Sequence, residues 1–183
     1  MRRASNTSFS TASASNCDRR EVENPPAASI FLALQESALG HAMRSSVALY
    51  PAAEILHILG FVVLVGSILA LDLRLLGLGR AIPISPMARF LLPMSLFGFL
   101  LATSMGFLLF SADAAHVVRN PAFQTKLVLI AAALVNSAIA HAGPWRHLAQ
   151  WGTEASAGAK VMAALSLLLW LSAVCAGRLI AYI

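Results

Sequence analysis

The sequence predicts an all-α membrane domain: a four-helix transmembrane bundle preceded by an amphipathic interfacial helix and a disordered N-terminal tail. Three observations carry that expectation. Of 183 residues, 58% are hydrophobic and 11% charged, far from the roughly 45–50% and about 25% of soluble domains. Four apolar stretches, at residues 52–76, 89–110, 121–142 and 157–180, each approach the roughly 20 residues that cross about 30 Å of hydrocarbon. The links between them hold helix breakers: Gly77, Gly79, Pro83 and Pro86, then Asn120-Pro121, then Gly143-Pro144 and Gly152. Short links make consecutive spans antiparallel neighbours.

Residues 1–28 are rich in Ser, Asn, Thr and Arg and nearly lack large apolar side chains, so they cannot offset the entropy of ordering. Arg2-Arg3 is not followed by the apolar stretch that a secretory signal needs. Residues 29–48 space Ile30, Phe31, Leu34, Leu39 and Met43 among Gln35, Glu36, His41 and Arg44, a helix with one apolar face that is too polar to span. Tyr50-Pro51 then marks an interfacial tyrosine and a proline tolerated in a first helical turn. The remainder, 49–183, is the transmembrane domain.

Helices in lipid gain little from burying apolar surface against each other, so small residues mark their contacts. Gly98, Ala102 and Gly106 recur every four residues in the second span, and Ala163, Ser166, Ala173 and Gly177 share roughly one face of the fourth. Pro93 interrupts the second span's ladder, which should kink the helix or leave the Arg89 carbonyl free for another donor. The net charge of +5 comes from Lys and Arg scattered at segment ends, not from a stripe that could track phosphates, so nucleic acid is excluded as a partner and the lipid bilayer is expected. Cys17 and Cys175 lie in segments that do not meet, which leaves no disulfide framework. Slightly more positive charge falls on the side of Arg74, Arg80, Arg89, Arg146 and Lys160 than on the side of Arg44, Arg119, Lys126 and Arg178. By the positive-inside rule this places both termini outside, in the periplasm of a bacterium.

Ionisable residues within spans are costly and by default functional. Glu54 and His57 lie three apart, so the carboxylate can orient the imidazole for a ligand; the plainer reading is a Glu–His pair bonding a neighbouring helix. Lys126 enters the third span at a depth matching His57, to pair with Glu54 or with acidic groups of a cofactor, unless it snorkels. Its stripe of Lys126, Ala133, Ser137 and Ala140 faces inward, and Asn136 beside it needs a partner in the bundle. His116, with Asp113 one turn before it, is the best-placed second histidine. Asp72 lies about 22 Å along the axis from His57 and is expected to form an interfacial charge pair with Arg74. His141 and His147 belong to the opposite side and read as a loop pair. No GxSxG, Walker or dinucleotide-binding motif occurs.

The runs EILHILGFVVLVGSILALDLRLLG (Glu54–Gly77) and FQTKLVLIAAALVNSAIAH (Phe123–His141), with the ending AGRLIAYI, resemble uncharacterised bacterial inner-membrane proteins of four spans. More distantly, the histidine early in a span, the Asp-Leu-Arg end and the later Lys look like copper-resistance protein D membrane domains and HemJ-type protoporphyrinogen oxidases. That resemblance implies haem b or metal handling by His57 and Lys126, although the aromatic-rich stretch of the HemJ pattern is replaced by Gly60-Phe61-Val62-Val63. Three roles stand open. One is a cofactor-binding inner-membrane protein that holds haem b or a transition metal through His57, Glu54, Lys126 and His116. The others are an accessory subunit serving other membrane subunits or a homo-oligomer, and a small solute or metal permease.

Overall fold

The structure is a computed structural model that describes residues 26–143, 145, 154–180 and 182. The tail expected to be disordered lies, through residue 25, outside the described residues, as does His147. Seven helices follow in order: α1 (Pro26–Glu36), α2 (Ala38–Ser45), α3 (Leu49–Leu76), α4 (Ile84–Ala112), α5 (Ala114–Val117), α6 (Pro121–Ala142) and α7 (Ala157–Leu179). Among the described residues there is no strand.

Helices α3, α4, α6 and α7, of 28, 29, 22 and 23 residues, are each long and apolar enough to cross a membrane. Their ends follow local chemistry. Asn120 caps α6, its side-chain oxygen accepting from the backbone N–H groups of Ala122 (2.9 Å) and Phe123 (3.3 Å), with Pro121 at the first position, where no N–H is missed. Ser156 caps α7 through Ala159 N–H at 3.3 Å. Gly77 closes α3 at φ 113°, a left-handed turn that lets Leu78 N–H reach back to Leu73 O at 3.0 Å. Helix α4 starts five residues earlier than the apolar run at 89–110 foretold, at Ile84 behind Pro83, because Pro86 sits within the first turn. Pro93 lies inside the helix without ending it.

The interfacial segment is two helices instead of one, broken at Ser37, whose hydroxyl accepts from Gly40 N–H. Arg44 on α2 donates to Gln35 O (2.7 Å) and to Ala112 O at the end of α4 (2.9 Å), and the Gln35 side chain accepts from Ala115 N–H (3.1 Å). These bonds satisfy backbone groups that a helix end leaves open and tie α1 and α2 to one end of the bundle. Met43 is buried there with Ala53 and Ala112. That end, which also carries α5 and the last turn of α7, is called the terminal face below; the α3–α4 link lies at the loop face.

The spans form two antiparallel hairpins, α3 with α4 and α6 with α7, joined where α3 packs on α7. The α3–α4 crossing is closest at two glycines. A Cβ at Gly60 would lie 2.6 Å from Ala102 N and 3.0 Å from Gly98 O, and one at Gly98 would lie 2.5 Å from Leu64 N and 2.7 Å from Gly60 O. Leu64, Ala133 and Trp170 bring α3, α6 and α7 together at mid-bundle, and Leu71, Leu75, Ile84, Ala88, Ala159 and Ala163 fill the loop half. Large apolar side chains cover the outside, among them Ile58, Val62, Phe97, Leu100, Val128 and Leu168. A dressed apolar exterior over a small-residue interior is the pattern of a helical bundle solvated by lipid.

Replacement of Gly98 by Leu should force the two backbones apart and lower stability by about 3 kcal/mol or more, beyond ordinary overpacking. Gly66→Ala, where a Cβ meets open space, should leave stability unchanged or raise it by up to about 1 kcal/mol. Thermal unfolding in one detergent, with both variants beside the parent, checks this.

Candidate functional site

The crossing of α3 over α4 sets the position of His57. Its Nδ1 lies 2.7 Å from Ala102 O. A carbonyl only accepts, so Nδ1 carries the proton and Nε2 is left as the basic, ligating nitrogen. The ring rests on Gly106, where a Cβ would come within 2.9 Å of Cε1 and 3.1 Å of Nδ1. Two of the three small residues of the α4 stripe therefore hold the imidazole, one by its carbonyl and one by its missing side chain. The orienting role foreseen for Glu54 falls to Ala102, because Glu54 points outward, exposed, and no hydrogen bond joins it to His57.

Lys126 comes to the same half of the bundle from α6. Its stem lies along α7 at Gly177, whose absent Cβ would meet Cε and Nζ at 3.4 Å. No carboxylate among the described residues pairs with it. His57 and Lys126 thus share the terminal half of the bundle, the one against Ala102 and Gly106 and the other against Gly177; Glu54 stays at the rim, and His116 goes elsewhere. His116 sits on α5, 80% exposed, with Nδ1 3.5 Å from Asp113 Oδ2, a wet surface pair at the terminal face. No group of three or more His, Cys, Asp or Glu side chains capable of holding a metal ion occurs among the described residues.

The loop half holds a second polar group that sequence reasoning valued less. Asp72 and Arg74 are both buried but turn to different tasks. Arg74 Nε donates to Ile82 O at 2.6 Å and Nη2 to Arg80 O at 3.3 Å, closing the α3–α4 link. The Asp72 carboxyl faces the Ser166 hydroxyl on α7. Asn136 finds the partner that its position called for, donating through Nδ2 to Met162 O at 3.1 Å. His141 Nδ1 binds Ser137 O at 2.8 Å one turn back, and its ring stacks on Trp145 at 5.0 Å. The sequence signal for this group was Asn136 beside the inward stripe of Lys126, Ala133, Ser137 and Ala140; what it lacked was the rotation that turns Asp72 inward.

A chain with four apolar spans, large apolar side chains on its outside and small residues within is a multi-pass integral membrane protein. Compared with protein-family models, curated proteins and solved structures, it gives no match.

The His57 assignment has a direct check. In protein labelled with ¹⁵N-histidine, one ring should show the neutral tautomer with a protonated Nδ1 and a bare Nε2. Gly106→Ala should shift or broaden that signal by displacing the ring, with little change at the exposed His116.

Proposed function

We propose that the protein is a cofactor-handling protein of the bacterial inner membrane, with both termini periplasmic, that binds a haem b-type group through His57 Nε2. The observation that carries this reading is the 2.7 Å bond from His57 Nδ1 to Ala102 O. An imidazole whose second nitrogen is anchored to a carbonyl is the usual preparation of a metal-ligating histidine.

Lys126 decides between a bare metal ion and a tetrapyrrole. A divalent ion at Nε2 would share its half of a low-dielectric interior with an ammonium group, with no carboxylate turned toward it, and each of these terms is unfavourable. A haem brings its own propionates, so the same lysine becomes a counter-charge. The donor set of one imidazole and one ammonium therefore fits an anionic macrocycle better than a metal ion. The bound group would supply one-electron or oxygen-dependent iron chemistry. The chain's own residues contribute a fixed ligand direction from His57, whose ring Gly106 accommodates, and charge balance from Lys126, whose stem Gly177 accommodates. The slight excess of basic residues at the loop face supports the orientation, and the likeness to HemJ-type and copper-resistance protein D domains supports the cofactor class.

Protein purified in mild detergent from haem-replete cells should show a Soret band, and titration with haem should saturate it at one equivalent. His57→Ala should abolish the band. Lys126→Met should keep the band while weakening haem binding about tenfold, ~1.4 kcal/mol of lost charge balance. A colourless protein that fails to take up added haem would replace this reading with that of an accessory membrane subunit.

A further inference from the structure

A cavity of about 40 Å³ lies in the loop half of the bundle, about 22 Å along α3 from His57. Its walls include Asp72 from α3, Asn136 and Ser137 from α6, and Ser166 from α7, with His141 and Trp145 toward the loop face. Asp72 is 6% exposed and Asn136 5%, and each has one fully buried oxygen, Asp72 Oδ2 and Asn136 Oδ1, with no hydrogen-bond partner among the described residues. The Asn136 orientation is not arbitrary. Met162 O can only accept, so the amide must turn its nitrogen that way and its oxygen away.

Two orphaned acceptors beside one small cavity call for a positively charged or donating occupant, since an unpaired buried oxygen otherwise loses its hydration without return. We propose that Asp72, Asn136 and Ser166 form a site for one monovalent cation, sodium or a proton. Charge selects the valence. Asp72 is the single carboxylate among the described lining residues, so one positive charge makes the site neutral, and a divalent ion would leave an excess charge in the membrane interior. The oxygens of a carboxylate, an amide and a hydroxyl form a hard donor set, suited to an alkali ion and unsuited to a soft metal. The volume admits about two or three water-sized particles, enough for an ion that keeps some of its water.

Among the described residues few titratable or charged groups face Asp72. Helix α6 contributes His141 at the mouth, while Arg74 on α3 is turned away to the loop carbonyls. From α7 come Met162, Ala163 and Ser166 and from α4 comes Leu92, none of them titratable. The site stands apart from His57 and Lys126, so it is independent of the haem reading.

The test uses the full chain in detergent micelles with dicyclohexylcarbodiimide, which reacts with carboxylic acids in apolar surroundings, and reads labelling of Asp72 by peptide mass spectrometry. The expected result is labelling in sodium-free choline buffer that sodium slows, about tenfold when sodium reaches ten times its Kd, with Asp72→Asn unlabelled. Ser166→Ala and Asn136→Ala should each require more sodium for the same protection. Labelling that ignores sodium but falls as pH rises would identify the proton as the cation. The proposal is overturned if Asp72 stays unlabelled at every pH while the parent and Asp72→Asn melt with the same dependence on sodium and pH.

Discussion

The contact between Gly60 and Gly98 is the constraint on which the rest of the structure depends. Lipid offers two apolar helices little incentive to associate, so their attraction rests on dispersion at short range and on weak polar contacts. Only a pair of residues without Cβ atoms lets backbones come this close, and here each glycine faces the main chain of the other helix. The approach has a polar consequence one turn away. Because α3 rides so close to α4, the short reach of an imidazole suffices for His57 to bond Ala102 O at 2.7 Å.

The same device recurs wherever a polar side chain enters the bundle. Gly106 leaves the place that the His57 ring occupies, and Gly177 leaves the place along which the Lys126 stem runs. Small residues in this protein thus serve two purposes, helix approach and the housing of costly groups. In hydrocarbon a polar atom has no water to fall back on, so each such group needs a prepared neighbour. Most have one: Asn136 uses Met162 O, His141 uses Ser137 O, and Arg74 uses the carbonyls of Arg80 and Ile82. Asp72 Oδ2 and Asn136 Oδ1 are the fully buried exceptions among the described residues, and they share one cavity.

The bundle is consequently organised into two polar stations on α3, separated by the apolar layer of Leu64, Ala133 and Trp170. The terminal half presents nitrogen groups, a basic imidazole and an ammonium; the loop half presents oxygen groups around a carboxyl. Their chemistries are complementary in sign. In the proposed readings the first takes an anionic tetrapyrrole and the second a small cation. The two ends are finished differently as well: α1 and α2 are fastened across the terminal face by Arg44 and Gln35, and a left-handed glycine and a buried arginine close the α3–α4 link.

Composition and periodicity determined the fold class, the four spans and the interfaces, because a bilayer imposes length and polarity requirements that a linear sequence satisfies or fails span by span. Gly98, Ala102 and Gly106 were legible as a contact stripe for the same reason: spacing of four repeats on one helix face. The shared half of the bundle for His57 and Lys126 was also legible, since depth follows from counting residues into antiparallel spans. What only the tertiary structure decided was rotation and partner. A main-chain carbonyl, which carries no sequence signature, took the role foreseen for Glu54; a break at Ser37 divided the interfacial segment; and His116 turned to the surface with Asp113. Asp72 and Arg74, two apart in sequence, project to different sides of α3, so their adjacency reads as a charge pair. Only the packing of α3 on α7 shows that one of them faces Ser166 and a cavity while the other closes a loop.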